Sequence, residues 1–540
     1  MDSVIVWTGH GACALQAALR LTNESFAEHL GVAVRTVAAW HQKPTLKPKS
    51  EMQQLLDTAL NQASPMVQAR FSQLLAGRID AAPEPDPMPA IPRPQGPTRP
   101  NNGTADAERR LYTDPHIDAA LDWLDQAAGL PAGASRRQVA SQLARLNVGE
   151  VYDRSAHRRR VNRHHIAQAL GEYYGVPCPG YGRYAACYSP NGTATTSVLT
   201  CPEWLDLACP LLGAQDRIIL ADDAPSHDLL LDQQAAEHAT RRLVETLALN
   251  TRLVNMPLYC LLDAAVCKGH IGGAVNVVSF VEYALTMDLL EGELTDAISA
   301  NFTVRPAVLP LRDRYLPDAT SVLDMSSRLC AGGVLALCAI ARPASPRTAA
   351  DYLLIVQERS GHVLNAARKL AVIPKGFHQP LMDIRGDTAL GFTLQREIEE
   401  ELFGRNDIDN TVTDPRCADP MHPSRLSEPM RWLTGVPGAL RMECTGFGLN
   451  LVSGNYEFAS LIVIDDEEFW AKYGGQIEAN WESSSLRRYS SLDSSLLTAL
   501  IADVAWSNEG LFALLQGLRR LSQIGGHRVH LPTIDWELPS

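Results

Sequence analysis

The chain has 540 residues, 46% of them hydrophobic and 20% charged, with a formal net charge of −13. That length exceeds one hydrophobic core and predicts two to four domains, while the composition excludes global disorder. A uniformly acidic surface would repel nucleic acid, so any DNA contact has to be local. Residues 1–78 hold seven Lys/Arg against five Asp/Glu, which leaves the acidity to the remainder. The start, Met-Asp-Ser, has no basic or apolar leader pattern, and the longest apolar run, around Leu329–Ala341, falls short of the roughly 20 residues of a membrane span. A soluble, cytoplasmic protein without a membrane partner is expected. Its eleven cysteines are scattered, and without any C-x-x-C pair a structural zinc site has no support.

In chain order, the first informative segment is Ser25–Trp40, SFAEHLGVAVRTVAAW. Phe26, Leu30, Val37 and Trp40 are apolar at spacings that place them on one side of two short helices. Ala27 is small where two helices would cross, and Gly31 suits the left-handed residue of a tight turn. A preceding helix over 12–21 completes a three-helix core. The pattern resembles the lambda-repressor-like helix-turn-helix of the Xre family, matched at Phe26, Ala27, Leu30, Gly31, Val32, Thr36, Val37 and Trp40. The resemblance implies an all-α domain over residues 1–78 that binds double-stranded DNA as a homodimer on palindromic sites. Its recognition helix would present Val34 and Arg35, the guanidinium reading guanine and the valine a thymine methyl. Thr36, His41, Lys43 and Lys47 are the phosphate-contact candidates, with a solvated loop the competing reading for the lysines. Trp40 is expected in the core.

Eight prolines between Pro83 and Pro100 mark residues 79–106 as an extended linker, because proline cannot donate to a helix or a sheet ladder. Residues 107–325 are expected to form a mainly helical middle domain. Helices are predicted over 232–249 and 281–298, core helices over 204–212 and 285–294, and a break at Gly269, Gly272 and Gly273. The cluster His157-Arg158-Arg159-Arg160 is the densest basic patch, read as an exposed face paired with acids or as a phosphate contact.

From about residue 332 the texture changes to short strand-like runs flanking a helix over 394–403, which predicts an α/β or α+β domain over 326–540. Here YLLIVQERSG, LAVIPKGFHQP and TLQREIEEELFG follow in order. The order resembles a Nudix domain: Gln357 and Arg359 fit its strand, Pro374, Gly376 and His378 its loop, and Arg396, Glu397, Ile398, Glu400 and Glu401 its helix motif. At i, i+3 and i+4, Glu397, Glu400 and Glu401 would share one helix face, an oxygen-ligand cluster suited to Mg²⁺ or Mn²⁺. The resemblance implies that the metal would bridge the phosphates of a nucleoside diphosphate compound and activate water, with Glu400 and Glu401 catalytic. It further implies that Arg396 is structural and paired with an acid near the loop. Two departures count against activity. Gly376 and Arg396 stand twenty residues apart, about six more than in the family, and Thr388 occupies the place of the family's loop glutamate.

The sequence thus predicts a multidomain regulator in which the Nudix-like domain senses a nucleotide-type small molecule. The alternatives are a metal-dependent Nudix hydrolase tethered to DNA and an interaction platform with an inert Nudix-like fold.

Overall fold

The computed structural model describes residues 7–19, 26–27, 30, 32, 36–37, 40, 47–48, 50–62, 71, 102–175, 178–213, 215–222, 230–346, 348–360, 366–405, 421–477 and 483–539. Its contacts divide the chain into two units, Met1–Thr98 and Arg99–Ser540. In the first unit, helices Gly9–Leu19 and Ser50–Gln62 accompany a segment in which Phe26, Ala27, Leu30, Thr36, Val37 and Trp40 are helical. The apolar spacing becomes a shared core: Trp7, Leu15, Phe26, Leu30, Val37, Trp40 and Leu56 belong to one buried cluster. Trp40 meets Phe26 edge-on at 6.4 Å. The Trp7 indole donates to Asp57 Oδ1 at 2.6 Å, which satisfies the polar atom of a ring otherwise removed from water. The Val32 N–H donates to Ala27 O at 2.8 Å, closing the chain over that small residue.

The second unit carries the strands β1 (Gly182–Tyr188), β2 (Gly192–Thr200), β3 (Leu205–Pro210), β4 (Asp216–Leu220), β5 (Pro257–Cys267), β6 (His270–Ser279) and β7 (Gly332–Arg342). It continues with β8 (Asp351–Arg359), β9 (Leu370–Val372), β10 (Lys375–Phe377), β11 (Leu440–Asn450), β12 (Tyr456–Ile464), β13 (Ser483–Ser490) and β14 (Ile534–Glu537). Eleven strands form one mixed sheet with main order β13-β8-β7-β12-β11-β2-β1-β14; β9 joins β8, β10 joins β7 and β3 joins β11. β4, β6 and β5 make a separate three-stranded sheet. β7 and β12 run parallel at the centre, from Gly332 opposite Tyr456 to Ile340 opposite Ile464. Both are buried on two faces, which explains their largely apolar sequences.

Strand alternation sorts these runs into two cores. Val334, Ala336, Cys338 and Ile340 join one buried cluster, Leu335, Leu337, Ala339 and Ala341 the other. The helix Asn508–Ile524 covers the second face, and it approaches so closely that a Cβ on Gly517 would lie 2.8 Å from Leu337 Cβ. The helix Leu390–Glu397 and the helices of residues 102–323 lie against the first.

Several expectations give way here. Residues 102–174 are helical, as are Gln233–Ala248 and Leu289–Ser299, but β1–β6 occupy much of 182–279. Gly269, at φ +76°, is the turn of the β5–β6 hairpin and not a helix break. The core helix expected over 204–212 is the strand β3, and the helix expected over 281–298 splits into Phe280–Ala284 and Leu289–Ser299. β2 and β3 pair with β11, so one sheet spans the domain boundary expected at 325/326. The helix Asn102–Thr113 overlaps the end of the expected linker, because Ala107 and Leu111 find a core to enter; the proline run itself lies outside the described residues. Among the described residues, no helix is long and apolar enough to cross a membrane.

Candidate functional site

The sheet and its two covering layers leave a cavity of about 230 Å³ at the start of β7 and β10. Glycine makes its geometry. A Cβ on Gly333 would lie 2.0 Å from Gly376 O, and one on Gly376 would lie 2.1 Å from Glu397 Cδ. With neither side chain present, the Glu397 carboxyl lies directly on the β10 backbone. Its Oε1 accepts from Arg396 Nη2 at 2.6 Å, and the same guanidinium reaches Phe377 O at 3.2 Å. Arg396 is 1% exposed. Its acid is therefore its own neighbour and not one from the loop, as the resemblance had implied.

The three candidate metal ligands do not converge. Glu397 and Glu400 line the cavity. Glu401 is buried and not in the cavity wall itself, its Oε2 accepting the N–H of Lys375, the residue before Gly376, at 2.7 Å. The reason is local: the helix passes into a π-turn at Ile398–Leu402, which winds more residues per turn than an α-helix and breaks the i, i+3, i+4 face. Glu399 points away altogether, accepting from Ser427 N at 2.7 Å. Among the described residues, no group of three or more His, Cys, Asp or Glu is arranged to hold a metal ion.

Besides Glu291, two further acids come from elements whose contribution was not legible. Glu457 on β12 and Glu509 at the start of the helix Asn508–Ile524 both line the cavity. Asn450 Nδ2 lies 3.3 Å from Glu457 Oε1 and 3.5 Å from Glu509 Oε2. Lys375 Nζ pairs with Glu509 Oε1 at 2.7 Å. Burial pushes the Glu457 carboxyl up to about 8 against the partial relief of Lys375. Burial also opposes the Glu509 charge, but the Lys375 ammonium holds that carboxyl below its ordinary value. One acid of the pair keeps a proton at neutral pH while the other is ionised, an arrangement that offers both a donor and an acceptor to a ligand. A charged residue inside the apolar run YEFASLIVI was the available signal for Glu457; for Glu509 the sequence held none.

The loop beneath is pinned by Asp387, whose Oδ2 accepts from the backbone N–H groups of Leu381, Met382 and Asp383 at 2.7, 3.1 and 3.1 Å. His378 is fully buried, with Nδ1 at 3.0 Å from Tyr456 Oη and Nε2 at 2.9 Å from Thr388 O. Burial pushes its imidazole down to about 3, so it stays neutral and structural. Thr388 donates its hydroxyl to Ile218 O at 2.8 Å, fastening the loop to β4.

In the first unit, Trp40 is buried, Thr36 is half-buried and helical, and Lys47 is exposed. Gly31, Val34, Arg35, His41 and Lys43 lie outside the described residues. Comparison with known protein families finds no match, and neither does comparison with curated proteins.

Proposed function

We propose that the chain is a DNA-binding transcription regulator: a helix-turn-helix in the first unit binds an operator as a homodimer, and the second unit binds a nucleotide-type ligand in the β7–β10 cavity. The observation that carries the ligand half is the cavity itself. It brings Glu397 and Glu400 of the Nudix-like segment together with Glu457, Glu509 and Lys375 from three other elements. Apolar lining with a few convergent polar groups is the usual make-up of a small-molecule site. The DNA half is supported by the shared core of Phe26, Leu30, Val37 and Trp40, which is the packing a helix-turn-helix requires. Ligand control needs different ligand affinities in the DNA-bound and free states. Titration of an operator duplex with and without nucleoside diphosphate compounds tests this: a shift in duplex affinity with at least one compound is expected, and identical affinities with all of them would count against the sensor.

A metal-dependent hydrolase comes second. In its favour, Glu397 and Glu400 reach the same cavity; against it, Glu401 is committed to the Lys375 N–H. Chromatographic product analysis with Mg²⁺ or Mn²⁺ on the parent chain and on Glu400→Gln/Glu401→Gln separates the two. Turnover abolished in the variant would promote the enzyme, and no turnover leaves the sensor.

A further inference from the structure

A second, smaller chamber of about 130 Å³ lies behind the first, and the two share Ile166, Glu291 and Lys369 in their walls. Its lining includes Arg158 and Arg159 of the basic cluster noticed in the sequence, with Arg154 from the same helix Val148–Arg160, Arg242 from the helix Gln233–Ala248, and Lys369. Much of this charge is partnered. Glu245 accepts from both Arg154 Nη1 (2.8 Å) and Arg158 Nη1 (3.2 Å), while Arg158 Nε reaches Asp296 Oδ1 at 2.5 Å. Arg242 pairs with the buried Asp288.

The partnering is incomplete on the cationic side. Arg154, Arg158, Arg159, Arg242 and Lys369 meet Glu245, Asp288, Asp296 and Glu291, with Glu509 also acting on Lys369, and burial pushes the Glu291 carboxyl up to about 7. Arg159 donates to Ser155 Oγ at 3.3 Å and Lys369 to Val161 O at 2.5 Å, and neither forms an ion pair among the described residues. Burial pushes the Lys369 ammonium down, a cost that an anion beside it would relieve. Cations without a paired carboxylate in one recess are what a bound anion would satisfy.

We propose that this chamber seats a phosphoryl group of the ligand whose other end occupies the β7–β10 cavity. The inference rests on the ligand-binding reading of that cavity and deepens it: the ligand is elongated, with its phosphate remote from Glu397 and Glu400. A hydrogen-bonded chain joins the two chambers. Asn455 Nδ2 donates to Tyr283 Oη at 3.0 Å, Tyr283 Oη lies 3.5 Å from Asp288 Oδ1, and Asp288 holds Arg242. Asn455 lines the first chamber and Arg242 the second, so occupancy of one is felt by side chains of the other.

The test is calorimetric titration of the full chain with sodium pyrophosphate in the presence of EDTA. Saturable binding is expected, weakened about tenfold or more in Arg154→Ala/Arg159→Ala, because charge-assisted contacts are the strong ones. Those two side chains are exposed enough at the mouth to be removed without unfolding the chain, which circular dichroism checks. Arg252→Ala, in the wall of the first chamber, is expected to keep pyrophosphate affinity. Absence of saturable binding, or unchanged affinity in the double arginine variant, would overturn the assignment. Loss in Arg252→Ala with retention in the double arginine variant would also overturn it, by placing the anion in the first cavity, and would leave the ligand-binding reading standing. If the arginine variant loses duplex DNA affinity and keeps pyrophosphate, the cluster is a DNA contact and the assignment fails.

Discussion

Gly376→Ala is the most demanding single change for this account. The new methyl would meet Glu397 Cδ and Oε1 at 2.1 Å and Cγ at 2.7 Å. Glu397 has little room to retreat, because its Oε1 is held at 2.6 Å by Arg396, itself 1% exposed. Overpacking of this kind costs about 1–3 kcal/mol, and surrendering a buried ion pair about 3–5 kcal/mol. A cost near 3 kcal/mol is therefore expected, equivalent to about a hundredfold in a local opening equilibrium. Native-state amide hydrogen exchange reads it directly: amides of β10 and of the helix Leu390–Glu397 exchange about a hundredfold faster, while those of the first unit are unchanged. Gly435→Ala is the control, since no atom lies within 4 Å of a Cβ there, and it should be neutral or slightly stabilising. Unaltered exchange in Gly376→Ala would refute the claim that Glu397 is locked against β10.

Two further outcomes follow from the same physics. Trp40→Ala is expected to destabilise the first unit by about 3–5 kcal/mol, since Trp40 is 2% exposed and packs on Phe26; exchange protection confined to residues 1–62 checks it. Glu457 keeps its proton in the fold because burial raises its carboxyl from 4.5 to about 8. A raised carboxyl contributes stability that is fully present below the unfolded value and lost as pH climbs through the folded one, so the second unit should weaken between pH 4.5 and about 8. Glu457→Gln should flatten that slope in urea unfolding measured across this range, and an identical slope would contradict the protonated acid.

Much of the fold was written in local pattern. β7, β8, β11 and β12 fall among the strand-like runs expected after residue 332, and the helix Gln233–Ala248, expected over 232–249, begins where Asp232 caps it at Ala235 N. What escaped was long-range. β2 read as nothing in particular and β3 as a core helix until paired with β11, because GTATTSVLT carries few apolar residues and LDLACP is too short to show its period alone. At the candidate site the same division holds. Glu397, Glu400 and Gly376 lie in one legible segment. Glu457 and Glu509 join Lys375 of that segment only because β12, the helix Asn508–Ile524 and β10 begin at the same place. The π-turn that removes Glu401 from the cavity depends on a backbone choice that residue spacing does not reveal.

The central claim is that one chain reads DNA with its first unit and a small molecule with its second. The most direct test selects duplexes from a random pool with the full-length protein and measures their affinity by fluorescence anisotropy, for the parent chain and for Arg35→Ala, at fixed salt. The account expects a palindromic consensus, preferential binding of it by the parent chain, and loss of about 1–3 kcal/mol of discrimination at one base position in Arg35→Ala. Equal affinity for selected and scrambled duplexes, or a preference indifferent to Arg35, would contradict it.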